Sequence, residues 1–347
     1  MTSPFPLFHI PYVPLGRIID FMKPKTLVSL SFCSQKSHSV IKTQRKAPFD
    51  GHLLVGESDK NSTFLSFTNF AFGMVPKSNQ VLSALKFVDN INYEDMESVK
   101  MGGQHVRVEM DHSDGYLISY WENTTEGSKV ITDYVTNLFN IDVSDIWASK
   151  QSFHIIQHVI SRQKTPLRYV SYADSSASSS SEKEMAYILK YCRPMSKSSM
   201  HIKPPQNFRF TEKFPKIDCL DINDGKWVSL DNLLTMDGID IILQSSTLTS
   251  SDVNVFLKHW LSGGCPRLKF FCAEIGSLDI FQVLADLLHN VVFVENSRTY
   301  TSPFGYRRTL TSGFDIRRAD GVTATVCHQQ TGKLVIAVWP EISNNDN

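Results

Sequence analysis

The sequence lacks the features that mark several classes of protein. None of its six cysteines forms a CxxC pair, so no zinc ribbon or thiol-redox motif is indicated. No stretch approaches 18 uninterrupted apolar residues, which argues against a transmembrane helix. The 35 basic and 35 acidic side chains cancel, so no overall charge favours nucleic acid or an anionic membrane as a partner.

The beginning of the chain, MTSPFPLFHIPY, has no basic flank and no apolar run before a small-residue cleavage site. We therefore expect no secretory signal. The scattered cysteines are read as reduced, mostly buried thiols. Together these features predict an intracellular protein of the cytoplasm, the nucleus or both, one that is not secreted.

Motifs of catalytic and metal sites are also missing. His154 and His158 are four residues apart on a predicted helix, so both can reach one metal ion. No glutamate follows His154, however, and no third ligand is apparent. No GxSxG sequence is present either. We expect no catalytic residue, no metal and no cofactor.

What the sequence does contain is an N-terminal segment rich in apolar side chains, residues 5–42. Pro11 and Pro14 fix an extended entry into a first helix, and Pro24 starts a second. A third short helix follows through Val40 and Ile41. Three short helices bury only part of this apolar surface against one another, and a segment this short is rarely stable alone. The remainder packs either on the rest of the chain, as a helical cap, or on a partner.

The spacing of the apolar residues in this segment resembles an F-box. Thirteen positions carry the pattern: Ile10, Pro11, Leu15, Ile18, Ile19, Phe21, Met22, Pro24, Leu27, Leu30, Ser31, Cys33 and Ser34. The resemblance implies a three-helix unit that docks on a Skp-type adaptor of an SCF ubiquitin ligase and through it on a cullin. The adaptor contacts that it implies are Ile10, Pro11, Leu15, Ile18, Ile19, Leu27 and Leu30. Many F-boxes have a tryptophan near the third helix, where this chain has Ser37 and His38.

The rest of the chain predicts a mixed domain. A connector at 43–51 leads to a domain at 52–340. Alternating runs at 105–111 and 115–121 predict a β-hairpin. A strand at 239–246, a helix at 248–264 and a strand at 266–275 follow later. Recurring strand–helix units favour an irregular leucine-rich-repeat-like α/β domain with antiparallel hairpins at its ends. The fold class is therefore α+β or α/β, with the three-helix F-box at its N-terminus.

The C-terminal half resembles a second family, the F-box-associated type 2 domain, over about 205–275. The resemblance rests on Leu233-Leu234, Phe256-Leu257-Lys258, Trp260, Gly263 and Pro266 with Leu268. Two turn signals beyond it predict a β-meander over about 314–339. This family implies protein recognition without enzymatic activity.

The two resemblances imply a non-catalytic substrate-recognition adaptor of an SCF-type ubiquitin ligase. The F-box is expected to bind the Skp-type adaptor, and the C-terminal domain an unknown target protein. The alternative is a leucine-rich-repeat-like protein-binding module that acts outside a ligase. We expect neither nucleic acid nor a membrane as a partner.

Overall fold

The computed structural model describes residues 7, 10–58, 62–69, 76–88, 93–174, 179–329 and 332–340. The chain forms two compact units, residues 1–167 and 168–347. Three N-terminal helices precede a region rich in strands, so the mixed α and β composition is confirmed. The domain boundaries at 5–42, 43–51 and 52–340 stay a prediction.

The first unit begins with the three expected helices. They are α1 (Tyr12–Phe21), α2 (Pro24–Phe32) and α3 (Gln35–Gln44). Pro24 occupies the first turn of α2, where no backbone N–H is needed for helical hydrogen bonding. The Ser34 side chain caps α3 by accepting a hydrogen bond from the Ser37 backbone N–H at 3.0 Å.

The remainder of the first unit is a mixed sheet with two helices. Its strands are β1 (His52–Ser58), β2 (Ser62–Thr68), β3 (Gln80–Lys86), β4 (Glu97–Met101), β5 (Gln104–Met110), β6 (Leu117–Trp121) and β7 (Asp145–Ala148). Their spatial order is β7-β1-β2-β3-β6-β5-β4. The predicted hairpin is confirmed, because β5 and β6 pair antiparallel with Arg107 opposite Tyr120.

Helix α4 (Thr124–Phe139) packs against β2, β3 and β6 of this sheet, and α5 (Phe153–Arg162) packs against β7. The Asn123 side chain caps the beginning of α4, and Asn140 ends it in the left-handed conformation. One face of α4 is buried through Ile131, Val135 and Leu138.

The second unit is built on a sheet in which the first five strands run parallel and in chain order. They are β8 (Tyr169–Ala173), β9 (Lys197–His201), β10 (Cys219–Ile222), β11 (Asp240–Ser246) and β12 (Phe270–Ile275). The connections contain α6 (Glu182–Tyr191), α7 (Leu230–Thr235) and α8 (Ser250–Leu261). The parallel strands and intervening helices agree with the expected strand–helix units, whereas their leucine-rich-repeat character stays a prediction.

The cap and the buried face of helix α8 both follow from its local sequence. Thr249 and Asp252 form a capping box, with reciprocal hydrogen bonds between each side chain and the other residue's backbone N–H. Val253, Phe256 and Trp260 are almost completely buried, as their helical spacing predicts. Helices α7 and α8 contact each other.

The sheet continues through antiparallel strands. After α9 (Ile280–Val283) come β13 (Val291–Val294), β16 (Gly313–Arg317), β17 (Thr323–Gln329) and β18 (Lys333–Val338). Their order is β13-β16-β17-β18, and β18 pairs antiparallel with β12. The predicted meander is confirmed in β16, β17 and β18, although residues 330–331 of its second turn lie outside the described part. A separate hairpin pairs β14 (Arg298–Thr301) with β15 (Arg307–Leu310).

Candidate functional site

The three N-terminal helices are held together by side chains that point between them. Leu15 and Ile19 of α1, Leu27 of α2 and Ile41 of α3 are buried, and the last three are completely so. Leu15 and Ile19 are four residues apart and therefore lie on one face of α1. Three of the residues expected to contact an adaptor, Leu15, Ile19 and Leu27, thus lie inside the structure.

The opposite face of α1 is exposed and partly apolar. Val13, Arg17 and Phe21 follow one another at intervals of four residues and form one stripe along the helix. The side chains of Val13 and Phe21 are 73% and 89% exposed, and that of Tyr12 is 69% exposed. Pro11 is exposed beside them, while Ile10, Ile18 and Leu30 are partly buried. We call Pro11, Tyr12, Val13 and Phe21 the α1 surface.

Phe21 belongs to the F-box pattern but is not among the expected contacts, and neither Tyr12 nor Val13 was singled out from the sequence. The signal that could have found the stripe is the interval of four residues, which is offset from the Leu15–Ile19 pair by about half a turn. No residue of the seven expected contacts belongs to this stripe.

Another face of the three helices is covered by α4. The Tyr134 ring stacks on Phe32, with ring centroids 4.4 Å apart, and meets His38 edge-on. Its hydroxyl forms a 2.7 Å hydrogen bond with Ser31 Oγ. Burial raises the pKa of Tyr134 to about 12 and lowers the pKa of His38. His38, at the place where many F-boxes have tryptophan, is therefore an aromatic contact within the first unit.

Polar contacts attach the three helices to the rest of the first unit at further points. Lys42 Nζ donates to Asn137 Oδ1 at 2.9 Å. Lys25 Nζ donates to the carbonyl oxygens of Ser78 and Asp114. The helices are thus attached to the first unit at several points rather than through the connector alone.

The connector is bound to the end of α1 through Asp20. Its Oδ1 accepts hydrogen bonds from the backbone N–H groups of Lys46 and Ala47, at 2.8 and 2.9 Å. Arg45 Nη1 donates to the same oxygen at 3.1 Å, and the Arg45 guanidinium lies over the Phe49 ring. The hydrogen bonds from Ala47 and Lys46 hold the pKa of Asp20 below its usual value. These contacts order the chain between α3 and β1.

The second unit has its own buried polar cluster around Asp240. Its carboxylate accepts hydrogen bonds from the hydroxyls of Tyr300, Ser302 and Tyr306, at 2.5, 2.5 and 2.6 Å. Tyr300 also stacks on Phe270, with ring centroids 4.9 Å apart. Burial raises the pKa of Asp240, and the three hydrogen bonds oppose that rise. The cluster holds the β14–β15 hairpin against the sheet.

Groups considered for other chemistry have structural contacts instead. His158 Nε2 lies 2.8 Å from Asp133 Oδ1, and His154 Nδ1 lies 3.2 Å from the Gln151 carbonyl oxygen. Within the described residues, no three His, Cys, Asp or Glu side chains are grouped to hold a metal ion. Burial raises the pKa of Cys192 to about 12 and that of Cys265 to about 11, so both thiols are protonated at neutral pH.

Among the described residues, no helix combines the length and the apolarity needed to cross a bilayer.

Comparison with known proteins agrees with this arrangement. A family model described as F-box domain matches residues 7–48, and one described as F-box associated matches residues 210–273. The chain is 24% identical over 343 residues to the Skn-1 dependent zygotic transcript 15 protein of Caenorhabditis elegans, with 93% of each chain covered. No solved structure matches the chain significantly. The chain therefore carries an N-terminal F-box, formed by α1, α2 and α3, followed by a C-terminal F-box-associated domain.

Proposed function

We propose that the chain is a non-catalytic substrate-recognition subunit of an SCF-type ubiquitin ligase. In this role the F-box binds a Skp-type adaptor, and through it a cullin, while the second unit binds a target protein. The observation that carries the proposal is the exposed apolar α1 surface within a segment that matches the F-box. Exposed apolar side chains that lie together commonly mark a protein-binding surface.

The α1 surface and the partly buried Ile10, Ile18 and Leu30 are the direct contacts in this proposal. Leu15, Ile19 and Leu27 act indirectly, because their burial fixes the angles between the helices. A charged residue at those three positions is expected to unfold the helices, which would remove binding without testing contact.

In this proposal the chain contributes to the reaction by holding the target in place. Binding of a target by the second unit brings a target lysine close to a ubiquitin-loaded enzyme held elsewhere in the complex. Proximity of this kind raises the effective concentration of the reacting groups. The attachment of the F-box to α4, through Tyr134 and Lys42, supports a fixed orientation of α1 on the first unit.

The test is titration of the full chain with a purified Skp-type adaptor. The double variant Val13→Asp/Phe21→Asp is expected to bind about a hundredfold more weakly, since buried apolar anchors dominate such interfaces. Met110→Asp is the matched control, because Met110 is 48% exposed in the same unit but lies on β5. Equal weakening by both variants would contradict a contact at α1.

A second candidate function is a protein-binding module that acts outside a ligase. The covered face of the F-box favours it, since Phe32, Tyr134 and Ser31 show that these helices also serve as part of the first unit's core. No adaptor binding by the folded wild-type chain would support this candidate over the first.

A further inference from the structure

In the second unit, a segment that precedes β10 passes beside α6. Phe208 and Phe210 of this segment are buried. Arg209 and Thr211, which alternate with them, are exposed, and an extended chain produces this alternation. The Phe210 carbonyl oxygen accepts a hydrogen bond from Asn232 Nδ2 at 2.7 Å. The segment is thus fixed to α7 while its other side chains face outwards.

The segment and α6 form the two walls of a groove with a volume of about 360 Å³. Lys183, Tyr187 and Tyr191 line it at intervals of four residues and therefore lie along one side of α6. The ring centroids of Tyr187 and Tyr191 are 4.9 Å apart, and Tyr191 is 52% exposed. We call the space between α6 and residues 208–212 the α6 groove. It offers aromatic surface along one wall.

More basic than acidic side chains line the α6 groove. The acidic ones are Glu182 and Glu212, and the basic ones are Lys183, Lys190 and Arg209. Glu212 is paired with Lys190, whose Nζ lies 2.9 Å from Glu212 Oε1. Glu182 lies in the first turn of α6, where the helix dipole favours a negative charge. Within the part of the chain that the structure describes, no carboxylate forms an ion pair with Lys183 or Arg209.

The chain that forms the second wall is basic over a longer stretch. Residues 203–216 contain a single acidic residue, Glu212, and four basic ones, Lys203, Arg209, Lys213 and Lys216. The whole chain, by contrast, has equal numbers of basic and acidic side chains. This local excess of positive charge is complementary to an acidic partner.

The backbone of the segment is also available for pairing. Among the described residues, the backbone N–H and C=O groups of Arg209, Thr211 and Glu212 form no hydrogen bond with other groups of the protein. Extended backbone with unpaired groups accepts a further strand, and many proteins bind extended peptides in this way. The backbone therefore favours an extended ligand, and the unpaired cations favour an acidic one.

We propose that the α6 groove binds an extended, acidic segment of a target protein. The segment pairs with the backbone of residues 208–212, and its carboxylates contact Arg209 and Lys183. This inference rests on the proposed function, because it assigns target binding to a particular surface of the second unit. Adaptor binding involves α1 of the first unit and is measured separately.

The first test is selection from a displayed library of random peptides of about ten residues, which span roughly 30 Å when extended. The wild-type full chain should enrich peptides that contain aspartate and glutamate. Arg209→Glu should lose this preference. Arg307→Glu is the matched control, because Arg307 is equally an exposed arginine of the second unit but lies on β15. Both variants should keep the melting temperature of the wild type.

The second test is fluorescence anisotropy with the most enriched peptide. Arg209→Glu should raise its dissociation constant about tenfold or more, since a cation in the site becomes an anion. N-methylation of the peptide, one residue at a time, tests the backbone pairing. In a paired strand alternate N–H groups face the partner, so methylation should weaken binding at alternate positions.

The outcomes separate this inference from the proposed function. A chain that binds a Skp-type adaptor but enriches no acidic peptides overturns the inference and leaves the proposed function standing. Enrichment of proline-rich peptides, or acidic enrichment that Arg209→Glu retains, also overturns it. Acidic peptides that depend on Arg209, bound by a chain that binds no adaptor, would support the groove and contradict the ligase role.

Discussion

The F-box has two apolar faces, the α1 surface and the face against α4. They differ in whether their apolar side chains pack against another part of the chain. Against α4, Phe32 stacks on Tyr134, and polar groups on both sides are paired, as in the Ser31–Tyr134 hydrogen bond. On the α1 surface, Val13 and Phe21 are exposed. The difference indicates a permanent internal contact on one side and a surface open to a partner on the other. Apolar content alone does not distinguish the two faces, whereas the exposure of their side chains does.

The largest effect on stability is expected from the residues between the helices. Leu27 is completely buried, so Leu27→Ala should lower the free energy of unfolding by about 2–5 kcal/mol. Phe21→Ala removes a larger side chain but should change it by less than about 0.5 kcal/mol, since Phe21 is exposed. Urea unfolding of the full chain, followed by tryptophan fluorescence and circular dichroism, measures both. Equal losses would show that Phe21 is buried in solution.

The next largest effect on stability is expected at the face of the F-box that α4 covers. Tyr134→Ala removes the ring that contacts Phe32 and His38, and it should lower the free energy of unfolding by about 2–4 kcal/mol. Tyr134→Phe keeps the ring and removes only the hydroxyl that is hydrogen-bonded to Ser31. It should lower the free energy of unfolding by about 1 kcal/mol. The same unfolding measurement separates the two contributions. Similar values for both variants would mean that the hydrogen bond, rather than the stacked ring, attaches the helices to α4.

Asp20 gives a smaller effect that depends on pH. Asp20→Asn should lower the free energy of unfolding by about 1 kcal/mol at neutral pH. The substitution removes the charge of the group that accepts hydrogen bonds from the Lys46 and Ala47 N–H groups. The pKa of Asp20 is lowered in the folded chain, so its contribution is complete above the ordinary pKa of 3.8 and is lost as the pH falls through the folded pKa. The difference between variant and wild type should therefore shrink in acid. A difference that grew in acid would contradict this assignment.

The smallest effect is expected from Lys42. Its bond to Asn137 lies at the exposed rim of the covered face, so Lys42→Ala should change the free energy of unfolding by no more than about 0.5 kcal/mol. Urea unfolding beside Tyr134→Ala gives the comparison. A loss as large as that of Tyr134→Ala would show that the exposed rim contributes as much to stability as the aromatic stack.

Much of the fold was predictable from local sequence. The capping box of α8, the buried Val253 and Trp260, the β5–β6 hairpin and the meander each depend on residues close together in the chain. The mixed composition follows from these elements. Local preferences decide such elements because caps, turns and periodic faces involve only a few consecutive residues.

The arrangement around the F-box was not predictable in the same way. Tyr134 lies about a hundred residues after Phe32 in the sequence, and nothing in its own segment indicates that contact. The expected adaptor contacts remain a prediction, although the structure places Leu15, Ile19 and Leu27 in the interior. Periodicity shows that a helix has an apolar face, but the choice between an internal neighbour and a partner depends on long-range packing.

The proposed function depends on the α1 surface being the docking surface of the F-box. Aromatic side chains lie on both faces, so oxidative footprinting of the full chain with and without a Skp-type adaptor tests it most directly. Tyr12 and Phe21 are strongly exposed and should be labelled in the free chain and protected in the complex, while labelling of Phe32 and Tyr134 stays unchanged. A complex that forms while Tyr12 and Phe21 remain fully labelled would show that the adaptor binds elsewhere on the chain.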